Sequence, residues 1–271
     1  MCLESVSDFN GTRYRITQGE FDKPVIVIVH GVGLNQDMWL SWLPTLSQDY
    51  RVLTLDLYGH GGSSNPEGER TVRDFVDQID KLLEHLDIDR IALAGFSLGA
   101  VISQAFASLY PERLTHLILL HSVYQRTDAQ CNGVRERYLI TRDEGPMATV
   151  ELAIRRWYTD DYRESHPHEM DSLRDVFSKH TDDGYLKAYY LFGHAEAEMA
   201  GYGIEHVQCP ALVITGADDV GSTPAMSEAL ARDLPDSRLI VNPLHRHMGP
   251  AEFAGDMSHQ VLSFLKNPTK H

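Results

Sequence analysis

The sequence predicts an α/β fold: a doubly wound, mostly parallel central sheet flanked by helices, with a helical cap inserted between two late strands. Three observations carry this. Short β-branched runs recur along the chain, several of them apolar at nearly every position. Amphipathic helical patterns separate them. That alternation stops at about residue 123 and resumes at Pro210.

The runs are RYRIT (13–17), VIVIV (25–29), RVLTL (51–55), IALA (91–94), THLILL (115–120), ALVIT (211–215) and RLIV (238–241). A run without polar alternation is a strand covered on both faces, as in a parallel sheet. Between them, TVRDFVDQIDKLLEHLD (71–87) sets Val72, Phe75, Val76, Ile79, Leu82, Leu83 and Leu86 at three- and four-residue spacing, one apolar stripe of a helix. Strands and helices of these lengths join by right-handed crossovers into a doubly wound sheet. VRERYLITRDE, PMATVELAIRRWY, HPHEMDSLRDVFSKH and DDGYLKAYYLFGHAEAEM then read as helices in succession. The expected division is a core of residues 1–122 and 208–271 and a cap of 123–207, placed over the carboxyl edge of the sheet, where such sheets bind ligands.

The totals bound the function. With 271 residues the chain is long enough for one large α/β domain, and 42% hydrophobic residues give it a sizeable core. A net charge of −15 repels polyanions, so neither nucleic acid nor an anionic membrane surface is an expected partner. Cys2, Cys131 and Cys209 are odd in number and far apart, which makes neither a disulfide framework nor a metal site and suits a reducing compartment. The N-terminus lacks a basic stretch followed by an apolar one, so a cytoplasmic protein is expected, as a monomer or homodimer. Asn10-Gly11-Thr12 fits the glycosylation pattern and is read as coincidence in that setting.

The chemistry-bearing signal is LAGFSLGAV (93–101), a serine between two glycines where an apolar strand turns into a helix. Glycines two residues to either side of Ser97 allow strand and helix to approach closely, and the helix N-terminus offers the Leu98 amide to a developing oxyanion. A serine hydroxyl needs an oriented general base. After ALVITG comes Asp218-Asp219, and after RLIVN comes a loop with His245 and His247. Asp219 and His247 are the candidate partners of Ser97, with Asp218 and His245 as the alternatives, giving the chain order Ser, Asp, His. Thr223 and Pro224 open the helix after the aspartates, and Pro250 opens the last helix. His30-Gly31-Val32-Gly33, after the most apolar strand, supplies a second oxyanion donor in the amide of Val32. The third glycine of a dinucleotide loop is missing there, so no cofactor is expected. No metal is expected either, because the 14 histidines are scattered and His166-Pro167-His168-Glu169 reads as a helix start.

HGVGLNQDMW, LDLYGHGGSS, GFSLGA, VITGADDVGSTP and HMGPAEF occur in the order found in the α/β-hydrolase superfamily, which the chain resembles over nearly its full length. Within it, RRWYTDDYRESHP (155–167) is similar to the segment of 3-oxoadipate enol-lactonase-like proteins at this place. The resemblance implies the α/β-hydrolase fold and hydrolysis of a small ester or lactone, anionic ones included, by a Ser97–His247–Asp219 triad through an acyl-enzyme. Arg155, Arg156 and Trp157 are then candidates to line the substrate. Two alternatives stay open: a C–C bond hydrolase of a vinylogous diketone with the same triad, and a ligand-sensing hydrolase-like protein with little turnover.

Overall fold

The computed structural model describes residues 6–18, 22–180 and 183–268; Cys2 lies outside them. An eight-stranded sheet runs in the order β1-β2-β4-β3-β5-β6-β7-β8. Its strands are β1 (Ser7–Phe9), β2 (Thr12–Ile16), β3 (Val25–Val29), β4 (Arg51–Leu55), β5 (Ile91–Phe96), β6 (Leu114–Leu120), β7 (Ala211–Gly216) and β8 (Ser237–Asn242). Pairing is antiparallel for β1–β2 and β2–β4 and parallel from β4 through β8. All seven expected strands are present. The short β1 was not foreseen; it enters through a hairpin at Asn10 and Gly11, whose φ values of 49° and 77° are those of a two-residue turn.

β3, β5 and β7 are buried at every residue, as unalternating strands should be. Beside them run α1 (Val72–His85), α2 (Leu98–Leu109), α8 (Pro224–Asp233) and α9 (Ala254–Lys266), counting helices of six residues or more. α1 starts with a capping box, in which the Thr71 side chain accepts from the Asp74 amide and the Asp74 side chain accepts from the Thr71 amide. Its apolar stripe buries Val72, Phe75, Val76, Ile79, Leu82 and Leu83. The expected single helix from Pro250 is broken: a one-turn helix spans Gly249–Glu252, and α9 follows Phe253, whose ring stacks on His245 at 3.7 Å.

Between β6 and β7 stand α3 (Asp128–Glu144), α4 (Met147–Trp157), α5 (Asp160–Ser165), α6 (Pro167–Ser178) and α7 (Gly184–Gly193), with short turns after them. α3 begins six residues before the apolar pattern suggests, because Thr127 and Gln130 form a second capping box. Met170, Leu173, Phe177, Tyr185 and Tyr189 join the same buried apolar cluster as the sheet. Among the described residues no helix is long and apolar enough to cross a membrane.

Candidate active site

β5 ends at Phe96 and α2 starts at Leu98, so the whole turn rests on Ser97, with φ 54° and ψ −113°. That region is costly for a residue with a Cβ and persists only where neighbours enforce it. Here the Ser97 amide donates to the Leu120 carbonyl at 2.9 Å. The flanking glycines make the turn possible: a Cβ at Gly95 would lie 2.1 Å from the Gly99 oxygen, and one at Gly99 only 2.5 Å from the Val29 oxygen. Leu98 is the first residue of α2, so its amide has no intrahelical acceptor four residues back.

The loops after β7 and β8 bring the acid and the imidazole together. His247 Nδ1 donates to Asp219 Oδ2 at 2.7 Å, while Asp219 Oδ1 accepts from the amides of Gly221 and Ser222 at 2.8 and 2.9 Å. Burial by itself would raise the Asp219 carboxyl, but the His247 charge and the hydrogen bonds from His121 and His247 outweigh it and hold the group well below the usual carboxylate range. The alternatives sort themselves physically. Asp218 is exposed. His245 is buried against Phe253, and its Nδ1 has no hydrogen-bond partner among the described residues.

The loop after β3 packs on the serine: a Cβ at Gly31 would meet Ser97 Cβ at 3.2 Å and the Phe96 ring at 3.0 Å. Two buried imidazoles shape it. His30 Nδ1 donates to the Gly31 carbonyl and its Nε2 accepts from the Leu57 amide; His60 Nε2 accepts the Gly33 amide at 3.0 Å. Burial lowers both below the ordinary histidine value, strongly so for His60, which suits rings that accept hydrogen bonds.

Ser97, Val32 and His247 line one cavity of about 60 Å³, room for several water molecules or a compact substrate. Its roof comes from the inserted helices: Arg137, Thr149, Arg156, Trp157, Phe177 and Tyr185. Trp157 is 9% exposed, with its ring 5.9 Å from that of His247. Arg155 departs from expectation. One residue along a helix turns by about 100°, and Arg155 is exposed and lines an outer groove with Arg246 instead of the cavity.

Residues 24–253 match the α/β-hydrolase fold family. The chain belongs to that family. This α/β hydrolase is 30% identical over 239 residues, 88% of each chain, to an (E)-2-((N-methylformamido)methylene)succinate hydrolase of Acinetobacter baylyi. It is 26% identical over 250 residues to 3-oxoadipate enol-lactonase 2 of the same organism, covering 92% of this chain and 91% of that one. The crystal structure of the enol-lactonase from Burkholderia xenovorans LB400 superposes with a TM-score of 0.84 at 28% identity, over 97% of this chain and 100% of that one. The protein is an enzyme of the hydrolase class.

Sequence reasoning missed two parts of this hydrolase's site. Arg137, on α3, stands with Arg156 near Tyr185, whose hydroxyl burial pushes well up while the two guanidinium groups oppose that push. No carboxylate of the described residues lies at ion-pair distance from either arginine, and Arg137 Nε is buried without a partner. His121 is the second: its Nδ1 lies 2.8 Å from the same Asp219 Oδ2 that His247 uses. His121, Asp219 and His247 offer atoms within 4.8 Å of one another, close enough to consider a metal. However, ligands on a tetrahedral zinc stand about 3.3 Å apart for bonds of ~2.0–2.1 Å. Separations of 2.7 and 2.8 Å are those of hydrogen bonds.

Proposed function

We propose that the enzyme hydrolyses a small ester, lactone or amide whose acid part carries a carboxylate, through an acyl-enzyme on Ser97. In this reading His247 takes the Ser97 proton as the oxygen attacks the carbonyl. Asp219 steadies the imidazolium, and the amides of Val32 and Leu98 receive the oxyanion. His247 then returns the proton to the leaving group, and water attacks the acyl-enzyme with His247 again as base.

The observation that carries the substrate class is the pair Arg137 and Arg156, guanidinium groups with no carboxylate among the described residues at ion-pair distance, in the cavity that Ser97 and His247 line. In a chain of net charge −15, two cations left without carboxylates among the described residues are a costly arrangement that an incoming anion relieves. Ser222 Oγ, buried on the same wall and without a partner among the described residues, adds a further polar contact. The relative from Acinetobacter baylyi whose name ends in succinate hydrolase is consistent with an anionic substrate.

The test compares p-nitrophenyl acetate with p-nitrophenyl hemisuccinate, using wild type and Ser97→Ala. The expected result is a preference for the hemisuccinate of about tenfold or more in kcat/KM, and loss of about 10³-fold or more of the activity in the variant. Equal turnover by Ser97→Ala overturns the nucleophile, and preference for the neutral ester overturns the substrate class. A single acylation burst without turnover returns the sensor reading. Silence on esters, lactones and amides with cleavage of a vinylogous diketone returns the C–C hydrolase.

A further inference from the structure

β6 lies between β5, which ends in the Ser97 turn, and β7, which ends in the Asp219 loop. The residue that follows it therefore stands between nucleophile and acid. That residue is His121, wholly buried, with φ 48° and its amide donating to the Ile214 carbonyl at 2.8 Å. A histidine in the left-handed region is strained, and here its neighbours on both sides hold it there. Its ring packs edge-on to Phe96 and His247, at centroid distances of 5.9 and 5.6 Å.

We propose that His121 is a positioning residue for the triad, donating a proton from Nδ1 to Asp219 Oδ2 beside His247 so that this carboxylate oxygen is fixed between two imidazoles. The inference rests on the Ser97–His247–Asp219 reading above.

The tautomer follows from the surroundings. Asp219 Oδ2 accepts only, so the proton sits on Nδ1 of His121, and Nε2 is left with a lone pair and no partner among the described residues. His245 Nδ1 is likewise without a partner, and a Cβ at Gly249 would lie 3.1 Å from both nitrogens. The charged and titratable groups facing this cluster are Asp219 and His247 on the loops, Arg156 on α4, and Asp256 on α9 beyond His245. Burial holds His121 below the ordinary histidine value, against the pull of Asp219, so it enters as a neutral donor. With Gly221 and Ser222 on Oδ1, Asp219 then has four donors and one rotamer. His121 also draws on the oxygen that stabilises the imidazolium of His247, without adding a charge. Removing that donor leaves Oδ2 a stronger hydrogen-bond acceptor for His247 and favours its imidazolium form.

The test uses His121→Leu, which removes the donor, and His121→Asn, whose amide nitrogen stands close to where Nδ1 stood and whose side chain tolerates positive φ. In His121→Leu the acid limb of kcat/KM moves up by about half to one pH unit, and plateau kcat falls about tenfold with KM held. His121→Asn restores the wild-type limb. Limbs that superimpose in all three proteins overturn the proposal even if kcat falls, because that is what a packing role alone produces. Proton NMR of the folded wild type, labelled with ¹⁵N-histidine, gives a readout that needs neither activity nor a folded Leu variant. Beside the signal of His30, whose Nδ1 donates to a backbone carbonyl, it should show two far-downfield imidazole Nδ1–H signals that are both displaced in Asp219→Asn, one of them absent in His121→Asn. A single signal that responds to Asp219→Asn overturns the proposal. Both signals persisting in a Ser97→Ala protein that kept its activity would instead remove the triad reading while leaving the His121–Asp219 bond in place.

Discussion

The amide of Met248 donates to the carbonyl of Trp157 at 2.9 Å, which ties the His247 loop directly to the end of α4. Arg246 reinforces that tie: its Nη1 donates to the carbonyls of Arg155 and Tyr158 at 3.1 and 2.7 Å and pairs with Asp160 at 2.8 Å. Thr159 adds its amide to Glu252 at 3.1 Å and its hydroxyl to the other oxygen of that carboxylate. The segment from Arg155 to Asp160 is therefore a clasp between the inserted helices and the His247 loop as much as a wall of the cavity.

Arg246→Ala should open that clasp without touching the cavity. Its two bonds to backbone carbonyls are worth ~1–2 kcal/mol together. The melting temperature should then fall by about 2–8 °C for a chain of this size, and kcat/KM by roughly 5–30-fold as His247 and Trp157 lose their common register. Thermal denaturation and steady-state kinetics on one preparation check both. An unchanged kcat/KM with a lowered melting temperature would sink the link to His247.

The two kinds of glycine in this chain should respond in opposite directions to alanine. At Gly99 a Cβ meets backbone oxygens of Val29 and His30 at 2.5 and 2.6 Å, which no side-chain movement relieves. Gly99→Ala should cost about 3 kcal/mol or more. Gly133 lies inside α3, and its nearest neighbour would be the end of the Arg137 side chain at 3.6 Å. Gly133→Ala should stabilise by ~0.5–1 kcal/mol. Urea unfolding of the two variants measures the contrast; destabilisation by both would refute the assignment of Gly133 to an open site.

The same distinction explains what could be read beforehand. VIVIV, ALVIT and the Ser97 turn were legible because local pattern and global burial agree: unalternating apolar runs cross the middle of the sheet, and its carboxyl edge carries Ser97, Asp219 and His247. The hairpin at Asn10-Gly11 was passed over although the pair is a strong turn signal, because SDF is too short and polar to look like a strand. Arg155 and Arg156 were indistinguishable as neighbours in sequence; only the phase of α4 separates them. Arg137 and His121 meet the site through long-range packing, and the one local hint was a polar residue closing LILL at the sheet's carboxyl edge.

Stability should fall on mild acidification. Burial holds the His245 imidazole down to about 4, with His121 adding to the effect and Asp256 opposing it. The unfolded chain takes that proton near the ordinary value of 6.5, so between the two values the unfolded state binds more protons. The contribution is complete above 6.5 and is lost as pH falls toward 4. His30, His60 and His121, all lowered by burial, act with the same sign. Asp219, depressed by its imidazole partners, extends the loss below the usual carboxylate range. Each proton contributes a slope of at most ~1.4 kcal/mol per pH unit. Urea midpoints from pH 7.5 to 4.5 should drop steeply in wild type and less so in His245→Phe, which keeps the stack on Phe253. Parallel curves for the two proteins would reject His245 as a contributor.

The arginine pair should trade stability for specificity. Arg156 is pushed below the ordinary guanidinium value by burial first and by Arg137 second, so its charge is poorly accommodated until an anion arrives. Replacing either by glutamine keeps much of the length and removes the charge. For a substrate with a carboxylate, loss of one charge-assisted hydrogen bond at ~1.5–3 kcal/mol lowers kcat/KM by about 10–150-fold. For p-nitrophenyl acetate, which offers no anion, the change should stay within about threefold. The melting temperature of Arg156→Gln should hold or rise, since an unpaired half-buried cation is removed. If instead both esters lose activity in step and the variant is less stable, Arg137 and Arg156 are props of the cavity wall and its selectivity for acids lies elsewhere.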